Sequence, residues 1–274
     1  MRVGIAAIVK NEAPYLREWI AFHREIGVTD FFIADNDSTD GTEELLKDLA
    51  RKKHIVRLRV PGIAKQVPAY NHILLKFGAR CDWLAFIDAD EFLLPESGNV
   101  TGYLETLTDK TIGAVTVSWA IYGSSGHETR TDGLVIERFT RRGRQQAFRN
   151  RLCKSIVRPY AIVKMSGAHR AVMKEGFIEV TSDGVPTDPS VLLSDSPPVW
   201  VGIRLNHYII KSREEYITNK QPRGMADRDV RRGPDFFKAH DLNFVSDPMP
   251  ARLVAATKKR MIRQARWRPW ARWL

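Results

Sequence analysis

The chain has 274 residues, 43% of them hydrophobic and 27% charged, a composition that excludes a disordered or low-complexity protein and suits one elaborated α/β domain. Its 43 Lys and Arg against 32 Asp and Glu give a net charge of +11, a surplus that serves nucleic acid, an anionic membrane surface or a phosphate-bearing substrate. The cysteines, Cys81 and Cys153, lack metal-ligand spacing and no apolar run reaches the ~18 residues of a membrane span, so reduced structural thiols in a cytoplasmic protein are expected.

Residues 3 to 9 form an apolar, β-branched run that meets Lys10, Asn11 and Glu12. It is too short for the apolar region of a signal peptide and reads as a first strand. Leu16, Trp19, Ile20 and His23 then recur at helical spacing, and Gly27 closes that helix. Residues 31–34 make a second strand, the polar loop 35–42 leads into a helix over 42–50, and residues 55–60 make a third strand. A helix over 68–78 and a fourth strand over 83–87 follow, the strand ending at Asp88-Ala89-Asp90-Glu91. The order βαβαβαβ predicts a mostly parallel central sheet covered by helices on both faces, with ligands beyond the carboxyl ends of its strands. The loops at 10–12, 35–40 and 88–91 all leave strands at that edge.

Past residue 100 the rhythm changes. A strand is expected over 114–119, a glycine-rich polar loop over 123–133 and further regular structure over 135–139. Short strands are expected near 155–157, 161–163 and 177–180, a surface loop over 183–198, a helix over 213–220 and a terminal helix over 249–274 broken near Pro269. Basic residues crowd into 138–151, 223–232 and 258–272, whereas the acidic clusters lie mostly in the first half.

Asp88 and Asp90 stand two residues apart where an apolar strand dissolves into a turn, so both carboxylates can face one hard cation such as Mg²⁺ or Mn²⁺. An isolated Asp-X-Asp is more often a solvated acidic turn. Context decides against that reading. Val9-Lys10-Asn11-Glu12, Asp35-Asn36-Asp37-Ser38-Thr39-Asp40-Gly41-Thr42 and Phe86-Ile87-Asp88-Ala89-Asp90 resemble, in order, three motifs of the nucleotide-binding half of the glycosyltransferase A (GT-A, Rossmann-like) fold, particularly its family 2 enzymes. Asp37 stands where that group usually has glycine. Gln66-Val67-Pro68-Ala69-Tyr70-Asn71 resembles the helix segment that arranges the donor pocket, without the usual preceding glycine. Farther on, residues 119–127, 154–159 and Asn206-His207-Tyr208 resemble the family 92 type of glycosyltransferase, extending the likeness to about residue 224.

The resemblance implies a nucleotide-sugar-binding half over 1–100, an acceptor-binding and catalytic half over 101–224 and a basic helical extension over 225–274. It implies donor contacts from Val9, Asn11, Glu12, Asp35, Asn36, Gln66, Asn71, Asp88, Ala89 and Lys211, although Asn36 and Asn71 read equally well as turn and cap residues. The metal, Mn²⁺ or Mg²⁺, would be held by Asp88, Asp90 and His207, with His169 a rival third ligand. Lys211, Arg213, Lys220 and Arg223 are candidates to close over the diphosphate, and Lys154 and Arg158 to touch donor or acceptor. For the general base Glu128, beside His127, comes first, and Asp132 and Asp183 are alternatives.

The expected activity is metal-dependent, inverting transfer of a sugar from a UDP-sugar to a saccharide or glycolipid acceptor. A sugar-phosphate nucleotidyltransferase is a rival, but its glycine-rich basic loop after the first strand is missing. Nucleic-acid binding explains the charge, yet no recognised module accompanies it, so no nucleic acid is expected as partner. The tail 258–274 alternates basic residues with Trp267, Trp270 and Trp273, a composition that suits peripheral attachment to the anionic inner face of a membrane or, equally, packing of the indoles on the domain.

Overall fold

The computed structural model describes residues 1–188, 190–191 and 195–266. Along the first part run β1 (Val3–Val9), α1 (Leu16–Glu25), β2 (Asp30–Asp35), α2 (Thr42–Arg51), β3 (Val56–Arg59), α3 (Gln66–Phe77) and β4 (Trp83–Phe86). There follow β5 (Glu91–Pro95), α4 (Val100–Glu105), β6 (Ile112–Ile121), the single turn α5 (Val135–Arg138), β7 (Arg141–Arg142), β8 (Cys153–Val157), β9 (Ile162–Met165), β10 (Ala171–Met173) and β11 (Ile178–Thr181). The chain ends through β12 (Ile203–His207), α6 (Arg213–Glu215) with a wider turn over Tyr216–Lys220, α7 (Pro234–His240), β13 (Val245–Ser246) and α8 (Ala251–Arg266). The tryptophans of the tail and the break expected near Pro269 lie outside the described residues. Among those described, no helix is long and apolar enough to cross a membrane.

The main sheet runs β3-β2-β1-β4-β8-β6-β12-β5, with β11 beside β6. β1, β2, β3 and β4 pair in parallel, as do β6, β11 and β12, while β8 lies antiparallel between β4 and β6 and β5 antiparallel to β12. The sheet is thus mostly parallel, as the alternation predicts, with two reversed strands that the alternation does not announce. One sheet crosses the expected division at residue 100.

β1 is buried along its whole length because it feeds two cores. Val3, Ile5, Ala7 and Val9 pack towards α1 and α2, and Ala6 and Ile8 pack towards α3, the period-two signature of a strand covered on both faces. α1 is fastened to β5 by the Trp19 indole, which donates to the Glu91 carbonyl at 2.7 Å, and by His23, whose Nε2 accepts from the Leu93 amide at 3.2 Å. Cys81 and Cys153 are free and buried.

The direction of each strand decides what meets at one edge. β1, β2, β4, β6 and β12 all finish there, bringing Val9, Asp35, the turn after Phe86, Ile121 and His207. The reversed strands β5 and β8 begin there, bringing Glu91 and Lys154. Register sets His207 directly beside both Ile121 and Glu91.

Candidate active site

The loops after β1 and β2 close on each other before they form any pocket. The Asn11 amide donates to Ser38 Oγ at 3.0 Å, Asn11 Oδ1 accepts from the Thr39 amide at 2.8 Å, and the Glu12 amide donates to Thr42 Oγ1 at 2.8 Å. Asn11 and Asp37 both take the left-handed conformation, φ 55° and 53°. Asp is one of the few residues besides glycine that adopts it readily, which is why Asp37 can stand at a glycine position. Asp35 is buried behind the loop with Oδ1 unpartnered among the described residues, and Asn36 donates to the Val60 and Gly62 carbonyls at 2.8 and 2.7 Å.

Beyond these loops lies a cleft of about 360 Å³ whose walls include Val9, Lys10, Glu12, Asn36, Gln66, Asp88, Ala89, Asp90, Lys154, His169, His207, Lys220 and Arg223. Gln66 and Tyr70 sit one turn apart on the same face of α3, and both donate to Asp88 Oδ1, at 2.7 and 3.2 Å. Asp88 Oδ2 accepts from the buried Lys154 ammonium at 2.9 Å. Asp90, 2% exposed, is paired with Lys220, has Arg223 at 4.0 Å and faces His207 Nε2 at 3.4 Å. Arg223 in turn pairs with Glu12 and donates to the Lys10 carbonyl at 2.7 Å. A wider groove of about 1380 Å³ opens at the opposite end of β1 and β4, past Leu75, Tyr160 and Val163, away from this acidic and basic cluster.

Charge pairing decides the protonation states. Burial works against ionised Asp90, but Lys220 and His207 hold its carboxyl well below the usual carboxylate range. Burial likewise opposes the charge on Lys154, which Asp88 and Glu91 override and hold well above the ordinary value. Lys220 goes the other way, brought down to about 8 by burial despite Asp90. His207 is lowered by burial, against the pull of Asp90, and is a neutral imidazole at neutral pH. Glu91 is fully buried, and burial raises it well above the carboxylate range.

Two carboxylates and a neutral imidazole are donors that suit Mn²⁺ or Mg²⁺. Behind the imidazole, His207 Nδ1 and Glu91 Oε1 have no hydrogen-bond partner among the described residues and face each other at 3.7 Å. That is the position of the outer carboxylate that orients a metal-bound histidine. The chemistry therefore fits the ion. The three side chains share one cleft but do not yet converge: among the described residues no three acidic, histidine or cysteine side chains form a ready ligand cluster, because Lys154 and Lys220 hold the two carboxylates.

Several expected site residues are not brought into the cleft. Asn71 spends both ends of its amide on the Met165 backbone, at 3.0 and 2.8 Å. Lys211 is buried with its ammonium over the Tyr15 ring at 4.3 Å. His127 Nε2 is tied to the Arg138 carbonyl at 2.9 Å, and Glu128, 75% exposed, lies 3.9 Å from Arg213 in the loop outside. Arg158 stacks over Trp83 and Asp132 and Asp183 are exposed elsewhere. The structure adds walls that motif reading passed over: Arg149, Asp227, Arg232 and His240. Glu91 had a signal, since an acid opening the apolar segment Phe92-Leu93-Leu94 must be buried and answered.

Residues 3–193 match the family model described as Glycosyltransferase family 92. A family 92 protein of Oryza sativa subsp. japonica is 32% identical over 183 residues, covering 63% of this chain and 30% of the relative. One of Arabidopsis thaliana is 28% identical over 186 residues, 63% of this chain and 32% of the relative. The chain thus spans about a third of the length of the curated relatives it matches. Among solved structures, S. aureus TarS 1-349 in complex with UDP-GlcNAc aligns with 73% of this chain and 62% of that chain at a TM-score of 0.40 and 13% identity, a likeness too distant to carry an argument.

Proposed function

The chain belongs to glycosyltransferase family 92, and on that premise we propose that the cleft transfers a sugar from a nucleotide-sugar donor, of the UDP class, to a saccharide or glycolipid acceptor with inversion. The observation that carries the reading is that Asp88, Asp90 and His207 line one cleft at the strand edge together with Lys154, Lys220 and Arg223. Such a set matches a sugar diphosphate: acids and imidazole for a divalent cation, ammonium and guanidinium groups for phosphate oxygens. Asn36, Gln66 and the loop after β1 form the wall on which the nucleoside would lie.

Mn²⁺ or Mg²⁺ held by Asp88, Asp90 and His207 would neutralise the diphosphate as it becomes the leaving group. The chain's own part is to hold that charge in place. Lys220 and Arg223 sit on the segment after α6 and transfer their attraction from Asp90 and Glu12 to the diphosphate oxygens. Lys154 keeps Asp88 ionised, and Gln66 and Tyr70 fix its rotamer, so little reorganisation is left for the reaction itself.

The test combines binding and turnover. Mn²⁺ titration followed by electron paramagnetic resonance should show one site, weakened about tenfold or more in Asp88→Asn and Asp90→Asn. UDP release from UDP-glucose, UDP-galactose or UDP-N-acetylglucosamine should need the metal and be lost in both variants. Mn²⁺ binding and donor turnover unchanged in both would sink the proposal.

A further inference from the structure

The proposed transfer needs a group that takes the proton of the attacking hydroxyl, and the acids of the cleft are already committed. Asp88 and Asp90 answer Lys154 and Lys220, Glu12 answers Arg223, and Asp227 answers Arg228 at 2.9 Å. Glu128 lies outside the cleft. Three imidazoles remain on its walls, His169, His207 and His240, and His207 faces Asp90.

His169 sits in the tight turn between β9 and β10, closed by the Ser166 amide on the Arg170 carbonyl at 3.0 Å. Its Nδ1 lies 2.7 Å from the Cys153 carbonyl, which accepts only, so the proton of the neutral ring is on Nδ1 and the lone pair on Nε2. Ser155 Oγ donates to the carbonyl of His169 itself at 2.8 Å, which pins the backbone as well. The ring packs edge-on against Trp119, centroids 5.5 Å apart, and Trp119 also packs against His207 at 4.3 Å. Nε2 has no hydrogen-bond partner among the described residues, and the residue lines the cleft. A fixed tautomer, an anchored ring and a free lone pair at the reaction cleft are what a base requires.

We propose that His169 is the general base of the transfer: its Nε2 takes the proton of the attacking hydroxyl. The inference rests on the transfer reading above. As the acceptor oxygen bonds to the anomeric carbon, the bond from that carbon to the diphosphate oxygen breaks and its electron pair leaves with the diphosphate. The hydroxyl proton ends on Nε2 and passes to solvent afterwards. Burial first, and then the Lys154 charge, bring the ring down to about 4, against the Cys153 carbonyl, Asp88 and Asp227, so the resting ring is neutral with its lone pair available and the protonated ring sheds its proton readily. His240 has the same tautomer, with Nδ1 2.7 Å from the Phe236 carbonyl, but its ring is stacked on Phe236 at 4.0 Å.

The experiment uses the full chain with Mn²⁺, UDP-glucose, UDP-galactose and UDP-N-acetylglucosamine, and water as the attacking hydroxyl, so that no acceptor need be known. His169→Gln and His169→Ala should lower the rate of UDP release about a hundredfold or more, with UDP affinity by calorimetry and melting temperature close to wild type. Added imidazole should restore part of the rate to His169→Ala, which a merely structural histidine would not show, and should restore nothing to His240→Ala, whose ring is stacked on Phe236. Wild-type rates in both His169 variants, or rescue by imidazole in His240→Ala instead, overturn the assignment while UDP binding persists. A wild-type chain that binds no UDP overturns the transfer reading and this inference together.

Discussion

Residues 3–95 and residues 119–240 build opposite walls of one cleft by different means. The first region delivers its acids locally: Asp88 and Asp90 fall in the turn between β4 and β5, Glu91 opens β5, and Glu12 follows β1. The second assembles its bases from distant places: Lys154 at the start of β8, His169 in a hairpin turn, His207 at the end of β12, Lys220 and Arg223 beyond α6. Three acids of the first region are matched by bases of the second, in the pairs Asp88–Lys154, Asp90–Lys220 and Glu12–Arg223, and the fourth, Glu91, lies uncharged beside the neutral ring of His207. Buried charge on either wall therefore depends on the other wall being folded, since an unpaired buried ion is far costlier than a paired one.

The comparison breaks most sharply at Lys154, which is 1% exposed. Lys154→Met is expected to leave the Asp88 carboxylate without its cation and to cost about 3–5 kcal/mol of stability, read by urea unfolding. Adding Asp88→Asn removes the uncompensated carboxylate and should return part of that loss. An unchanged unfolding midpoint in Lys154→Met would show that the walls are held by apolar packing alone.

The same contrast explains what was legible in the amino-acid sequence. β1 to β4 and their helices follow periods of two and 3.6 that need only neighbouring residues, so the parallel core and its ligand edge could be read directly. β5 could not, because five residues after an acidic turn carry no alternation of their own. The insertion of β8 between β4 and β6 is a long-range pairing that no local pattern encodes. Likewise, Lys154 in the apolar run Cys153-Lys154-Ser155-Ile156-Val157 signalled a buried charge needing a partner, but only the register identified Asp88 as that partner. The pairing of Lys220 with Asp90 spans 130 residues of chain.

Asn71 sharpens the comparison with a smaller effect. It resembles a donor-pocket residue by position in the chain, yet its amide clamps α3 to β9 through two backbone hydrogen bonds. Asn71→Ala should cost about 1–3 kcal/mol, the range for leaving buried backbone groups unanswered, while UDP affinity by calorimetry stays within about twofold, since the side chain does not reach the cleft. A large loss of UDP affinity at unchanged stability would instead make this residue part of the donor wall.

The smallest effect is expected at Glu128. Its carboxylate is 75% exposed, its one nearby cation among the described residues is Arg213 at 3.9 Å, itself 60% exposed, and it stands in the loop outside the cleft. An exposed pair of that geometry contributes between nothing and about 1 kcal/mol, and a carboxylate outside the cleft is not within reach of a hydroxyl attacking inside it. Glu128→Gln should therefore keep the rate of UDP release within about twofold and leave the melting temperature unchanged. A base, by contrast, would lose two to four orders of magnitude on the same substitution, so one rate measurement separates the exposed loop acid from the anchored imidazole of His169. A collapse of the rate in Glu128→Gln, with the fold intact, would mean that the 123–133 loop closes over the cleft during turnover and that the second wall is completed only then.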